Sequence, residues 1–253
     1  MAESALEKLR RELELERAAR QQAEATDQLR DGVLAALCHE MRSLLHASLG
    51  WAHLLQEGRL DPKGMHHGFE VICRNVELEG RVVSDILDVS RILSGRLRLD
   101  VQSLDLRAVV TAALDSVRAM AEAKAQRLQP ELDAGLGLVR GDPKRLQQVL
   151  RSLLANAVEF TPDEGRIRVI ARGTPEHAEV VVEDGGQGIP AELLPHVFDR
   201  LRNPQAYAAS GLGGRGLGLA IARHVVELHG GTLEAASDGE GTGARVTLRL
   251  PLG

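Results

Sequence analysis

The stretch Leu34 to Leu55 reads LAALCHEMRSLLHASLGWAHLL. Leu34, Leu37, Met41, Leu44, Ser48, Trp51 and Leu55 recur at alternating steps of three and four, which is a heptad seam. With Leu34 at the first seam position, His39, His46 and His53 all fall at the position farthest from the seam. A helix that pairs through the seam therefore holds three imidazoles in water on one stripe. At ~1.5 Å rise per residue they stand about 10 Å apart, too far to share one metal ion.

Working outward, residues 1–30 are rich in Ala, Leu, Glu, Arg and Gln and lack Pro and Gly, a strong helix composition. One heptad frame runs from Leu6, Leu9 and Leu13 into Leu34 but is polar in its middle. A second frame, through Leu15, Ala19, Gln22, Thr26, Leu29 and Val33, fills that gap. Two frames in one helix predict a stuttering coiled-coil stalk. On the other side, Gly58 and then Asp61-Pro62-Lys63-Gly64 predict a turn. A second periodic run follows: Phe69, Ile72, Val76, Val83, Ile86, Ser90, Leu93 and Leu97. Two long amphipathic helices with a short connection make an antiparallel hairpin, and one hairpin buries little apolar surface alone. Two copies make a four-helix bundle, so a homodimer is expected.

After Gly95 the pattern changes. Leu97, Leu99 and Val101 alternate with polar residues and predict a strand. Asp105 is placed to cap a helix through about Lys124, and Asp142-Pro143 to start one running to about Phe160. Ile167–Ile170 and Glu179–Glu183 read as strands. Gly216–His229 reads as a helix, and Thr232–Ser237 with Ala244–Leu250 as a closing hairpin. Helices and strands mix without a repeating βαβ unit, which predicts a layered α+β domain. The expected organisation is a stalk over 1–30, a helical hairpin over 31–98 and an α/β sandwich over 99–253.

Composition narrows the function. The net charge of −5 gives no reason to expect a nucleic-acid partner. No run of about 18 apolar residues and no signal peptide is present, so a cytoplasmic chain without a membrane span is expected. The two cysteines, Cys38 and Cys73, lack metal-ligand spacing and read as buried or inert thiols of a reducing compartment.

The α+β part carries three chemical boxes. The first is Asp142-Pro-Lys-Arg-Leu-Gln-Gln-Val-Leu-Arg-Ser-Leu-Leu-Ala-Asn156-Ala-Val-Glu-Phe-Thr-Pro. An Asn inside a helix is disfavoured by propensity, and its carbonyl oxygen can ligate Mg²⁺. The second is Asp184-Gly-Gly-Gln-Gly-Ile-Pro, a carboxylate followed by glycines. It can accept a hydrogen bond from an exocyclic amine while the backbone approaches closely. The third is Gly211-Leu-Gly-Gly-Arg-Gly-Leu-Gly-Leu-Ala, glycines opening a helix, which suits phosphate. Each has an ordinary reading: an exposed Asn, a Gly-rich turn, a flexible loop.

Together and in this order they resemble the N, G1 and G2 boxes of the ATPase domain shared by histidine kinases, gyrase, MutL and the large heat-shock ATPase. Glu192–Asn203, with Phe198, resembles the kinase F box. His39-Glu40-Met41-Arg42-Ser43 resembles the phosphoacceptor box of sensor histidine kinases, and Ile221 to Thr232 is similar to that branch. The resemblance implies His39 as phosphoacceptor and Glu40 as the carboxylate that activates its imidazole, with Ser43 on the same helix face. It implies Asn156 as Mg²⁺ ligand, Asp184 as adenine reader, and Gly186 and Gly188 shaping the base pocket. Gly214, Arg215, Gly216, Leu217 and Gly218 would line the phosphates under a lid at about 199–213. It further implies ATP and Mg²⁺ as the reagents, a homodimer as the assembly and a response regulator receiver domain as the partner that takes the phosphoryl group.

The chain departs from the family pattern at five positions, one of them Leu201, where the F box has its second aromatic. Leu44 stands where the family has a helix-kinking Pro, and Ser43 where it has Thr or Asn. Ser152 replaces an Asn, and Glu159 replaces a Lys. The last two define an alternative function, a degenerate kinase that binds nucleotide and partner as a dimeric scaffold without phosphotransfer. An ATP-gated clamp of the gyrase or MutL kind is a third reading, disfavoured because such clamps lack the His39 hairpin.

Overall fold

The computed structural model describes residues 37–39, 41–133, 135–199 and 217–252, together with Arg17, Arg20, Gly32 and Ala35. The stalk expected over 1–30 therefore lies almost wholly outside the described residues. So do Leu34, Glu40, the lid and Gly214, Arg215 and Gly216. The chain divides into two compact units, one ending at Leu93 and the other starting at Ser94.

The first unit holds helix α1, described without a break over 41–56 and also helical at 37–39, and helix α2, Pro62–Leu93. Gly58, at φ 66°, ends the first helix, and the Asp61 carboxylate accepts from the Gly64 N–H at 2.7 Å to start the second. Near the turn the helices touch. The Trp51 and His67 rings meet edge to face at 5.2 Å, and a Cβ on Gly68 would crowd the Trp51 ring at 3.0 Å.

The seam of α1 is as the heptad predicts. Leu37 is buried and Met41, Leu44, Ser48, Trp51 and Leu55 are half-buried, while the other described residues of 38–54 are exposed. The face of α2 differs from the expected one. Gly68, Asn75, Val82 and Val89, seven apart, are buried, whereas Phe69, Val76 and Val83 are exposed. The buried stripe is thus displaced by one residue, because Gly68 offers the flat spot into which Trp51 fits. Both cysteines are exposed, contrary to the expectation of burial.

In the second unit, Leu97–Val101 is not a strand. Strand β1 begins later, at Gln102–Asp105, and pairs antiparallel with β3, Leu138–Gly141. Leu97 is buried and the Asp100 N–H donates to the Asp142 carboxylate at 3.0 Å, so this segment is held by side-chain anchors rather than by a ladder.

The main sheet has the order β2-β4-β5-β7-β6, with β2 Arg127–Leu132, β4 Arg166–Gly173, β5 His177–Asp184, β6 Thr232–Ala236 and β7 Ala244–Pro251. Only the β2–β4 pairing is parallel. Helices α3 (Leu106–Ala123), α4 (Pro143–Phe160) and α5 (Gly218–Leu228) form the second layer. Their core-facing residues, Leu146, Leu150, Leu154, Ile221 and Val225 among them, meet Ile167, Val169, Val180, Val182 and Leu248 in an aliphatic core.

The outer face of the sheet is charged in alternation along two rows. One runs Glu131–Arg168–Glu183–Arg245 and the other Arg172–Glu179–Arg249–Glu234. Glu179 is the buried member, 5% exposed, and takes both Arg172, at 2.6 Å, and Arg249, at 2.9 Å. Burial alone would raise its pKa, but the two guanidiniums outweigh this and hold it below the ordinary value of 4.5. The folded-state value is depressed, so the stabilising contribution is full above pH 4.5 and is lost as pH falls through the lower folded value. Glu179→Gln should lower stability by about 1–2 kcal/mol at pH 7. Its melting temperature should fall less steeply than that of the wild type on acidification, measured by calorimetry from neutral pH downward. Equal slopes would contradict the assignment.

Candidate functional site

In the first unit, His39 is exposed, as are His46 and His53. The Ser43 hydroxyl donates to the His39 carbonyl at 3.1 Å, one turn back on the same face. Ser43 is thereby fixed beside the imidazole's root.

In the second unit the site is built on α4. Asp142 caps it, accepting from the Lys144 and Arg145 N–H groups at 3.0 and 3.2 Å, and Pro143 follows at the first helical position. The Asp142 N–H donates to His229 Nε2 at 2.9 Å, and His229 Nδ1–H donates to the Val225 carbonyl at 2.7 Å. The buried imidazole therefore ties the end of α5 to the start of α4. Burial pushes the Asp142 carboxyl upward, but the N–H groups of Asp100, Arg145 and Lys144 bring it below its ordinary value.

Along α4, Ser152 packs against the first residue of α5, where a Cβ on Gly218 would collide with the Ser152 hydroxyl. At the other end, the Phe160 carbonyl accepts from the Gln187 N–H at 3.3 Å, and a Cβ on Gly186 would lie 2.6 Å from that oxygen. Asn156 stands one turn from each contact and is half-buried. The first box is thus joined to the second at Phe160 and to the third at Ser152. Leu217 is buried and Gly218 half-buried where the third box enters the described residues.

Asp184 ends β5. Burial raises its pKa, while the N–H groups of Gly186 and Ala244 pull the other way, and the net direction is upward. Beside it a cavity of about 440 Å³ is lined by Lys124, Glu159, Phe160, Thr161, Gly186 and Gln187, among others. The Lys124 ammonium donates to the carbonyls of Val158, Glu159 and Thr161 at 2.8–3.0 Å, and Gln126 Nε2 adds bonds to Val158, Thr161 and Pro162. These two side chains satisfy the end of α4 and hold the cavity wall. Glu159 is exposed on that wall. Phe198 is buried, with the Arg223 guanidinium 5.8 Å from its ring centre. Arg223 also pairs with Asp199 at 3.5 Å, fastening this segment to α5.

Sequence reasoning passed over Phe160, Lys124 and the β6–β7 loop. The signal for the loop was available: Gly239, Gly241 and Gly243 alternate, and Gly188 and Gly243 sit so tightly that a Cβ would strike the Gly239 and Asp184 carbonyls. Lys124 carries no local signal, because its role depends on the end of α4.

Among known proteins, residues 141–253 match the family described as "Histidine kinase-, DNA gyrase B-, and HSP90-like ATPase". The chain is 29% identical over 272 aligned residues to hybrid signal transduction histidine kinase D of Dictyostelium discoideum, covering 90% of this chain and 18% of that protein. It is 32% identical to sensor histidine kinase RcsC of Escherichia coli K12, covering 92% of this chain and 24% of RcsC. The chain thus spans a quarter or less of the length of these relatives. The Acinetobacter baumannii histidine kinase AdeS superposes with a TM-score of 0.64 over 85% of this chain and 98% of that structure, and at 23% identity it shows a shared fold. Residues 141–253 thus match the histidine kinase-, gyrase B- and HSP90-like ATPase family, and over about nine-tenths of its length the chain is similar to sensor histidine kinases.

Proposed function

We propose that this chain is the core of an ATP-dependent protein histidine autokinase of a two-component system. The observation that carries the reading is the arrangement on α4, which joins the Asp184–Gly188 box at Phe160 and the Gly218 helix start at Ser152, with Asn156 between. The Asn156 amide oxygen at that point would suit Mg²⁺, a hard cation that would offset the charge of the phosphates. Asp184 would accept from the adenine exocyclic amine, with Gly186 and Gly188 letting the ring approach. Gly214, Arg215, Gly216, Leu217 and Gly218 would hold the phosphates.

The imidazole of His39 is exposed on a rigid helix, and neutral imidazole is a competent nucleophile near pH 7. A ring nitrogen attacks the γ-phosphorus as the bond to the bridging oxygen breaks and ADP leaves. The Glu40 carboxylate would accept the proton from the other ring nitrogen, leaving a neutral ring in the product. The phosphoramidate product has a high transfer potential and suits delivery to an Asp of a response regulator. The proposed organisation is a coiled-coil stalk over 1–30, a dimerising hairpin over 31–98 that pairs as a four-helix bundle, and a catalytic domain over 99–253. The reaction draws on cytoplasmic ATP, so the chain would work in the cytoplasm. No described helix is long and apolar enough to cross a membrane.

Titration calorimetry tests the nucleotide half of the reading: ATP should bind with Mg²⁺, and Asp184→Asn should weaken it at least tenfold. A wild type that binds no ATP would overturn it. The same measurement examines Glu159, which lines the cavity as an anion. A unit charge ~6 Å from another costs about 3 kcal/mol at an effective dielectric near 20. Solvent and the neighbouring Lys124 reduce this to about 1 kcal/mol, several-fold in affinity. Glu159→Lys should therefore tighten ATP more than ADP. An unchanged or weaker ATP affinity would show that Glu159 is no repulsive defect.

A further inference from the structure

We propose that Ser237, in the β6–β7 loop, is a positioning residue that sets nucleotide-base selectivity, a proposal that rests on Asp184 reading the base. The loop Ser237–Gly243 lies backbone to backbone against the Asp184–Ile189 loop. Gly243 abuts the Asp184 carbonyl, the Gly241 N–H donates to the Gln187 carbonyl at 2.7 Å, and the Gly239 carbonyl faces Gly188. At the next step of this ladder the partner is a side chain. The Ile189 N–H donates to the Ser237 hydroxyl at 2.9 Å, and that hydroxyl donates to the Gly243 carbonyl at 2.7 Å.

The alternation explains the glycines, since each contact leaves no room for a Cβ at Gly188 or Gly243. It also singles out Ser237. The three glycines bring only backbone, which any sequence at those positions would supply if it fitted. The Ser237 hydroxyl alone spans both loops, closing the ladder at the end where the chain leaves Gly188 for Ile189-Pro190. One oxygen thus restrains both ends of the β6–β7 loop and the exit of the base loop.

A rigid base loop matters for discrimination. Adenine offers an amine to the Asp184 carboxylate, whereas guanine offers a carbonyl oxygen at the same ring position, acceptor against acceptor. The penalty on guanine lasts only while the carboxylate cannot swing away. Loosening the loop therefore erodes selectivity as well as affinity, because the wrong base is relieved while the right one is lost.

The test is titration of the whole chain with ATP and GTP in the presence of Mg²⁺, comparing wild type, Ser237→Ala and Ser237→Thr. Amide hydrogen exchange at Ile189 is followed in the nucleotide-free protein. Ser237→Ala should lower the ATP-over-GTP preference about tenfold and speed exchange at Ile189, the size expected for one lost hydrogen bond from a part-buried donor. Ser237→Thr, which keeps the hydroxyl, should restore both. A preference unchanged within about twofold, or an equal loss of both nucleotides, would overturn the proposal and leave Ser237 a purely structural residue. A wild type that binds neither nucleotide overturns the nucleotide reading together with the selectivity proposal, and exchange at Ile189 then reports separately whether the hydroxyl holds the loop.

Discussion

His39→Gln abolishes incorporation of the ATP γ-phosphate into the chain, whereas His46→Gln and His53→Gln retain it. All three histidines are exposed on one face of α1, so accessibility does not separate them. Composition does not separate them either. In the proposed reading His39 is distinguished by its sequence neighbour Glu40, whose carboxylate would make the ring a better nucleophile, and by Ser43, whose hydroxyl donates to the His39 carbonyl. Glutamine keeps the length and polarity of the side chain but has no nucleophilic nitrogen, so the helix should be undisturbed and the loss chemical. Label incorporation from γ-labelled ATP, with circular dichroism as the folding control, checks this. Full labelling of His39→Gln would move the acceptor to one of the other two.

Val76→Asp combined with Val83→Asp should convert the proposed homodimer to a monomer. Phe69, Val76 and Val83 recur every seven residues on α2 and are 59%, 56% and 44% exposed, with Leu87 at 53% beside them. Leu45 and Leu49 on α1 are 50% and 53% exposed. Covering such side chains is worth roughly 1–2 kcal/mol each, and a repeat of seven is the spacing that a partner helix covers. Two carboxylates in that stripe would be buried unpaired in the dimer, at a cost of several kcal/mol. The residues that face inward, Gly68, Asn75, Val82 and Val89, are untouched, so the hairpin should still fold. Sedimentation at micromolar concentration decides the matter, and a variant that remains dimeric would remove this stripe from the interface.

Much of this structure is legible in the sequence where the signal is local. The caps at Asp105 and Asp142-Pro143 fix the starts of α3 and α4, because a side chain that satisfies the first N–H groups acts within three residues. The α1 seam is legible for the same reason, since one periodicity governs the whole helix. What escaped depends on distant partners. Strand β2 carries Pro130, which argues against a strand, yet it lies at the sheet edge where the missing N–H costs little. The α2 face escaped because seven-residue repeats run on two adjacent stripes, and only contact with Trp51 selects Gly68 over Phe69. In the proposed site, the residues within recognisable boxes stand out in the sequence. Lys124, Phe160 and Ser237 do not, because their roles come from elements that meet only after folding.

Autophosphorylation on His39 is the chemistry proposed for this chain. The most direct measurement is incubation of the wild type with γ-labelled ATP and Mg²⁺, followed by mapping of the modified peptide. A phosphate should be found on His39, lost in acid and kept in alkali, as a nitrogen–phosphorus bond requires. Stoichiometric ATP binding with no such label would contradict it and leave the chain a nucleotide-binding scaffold.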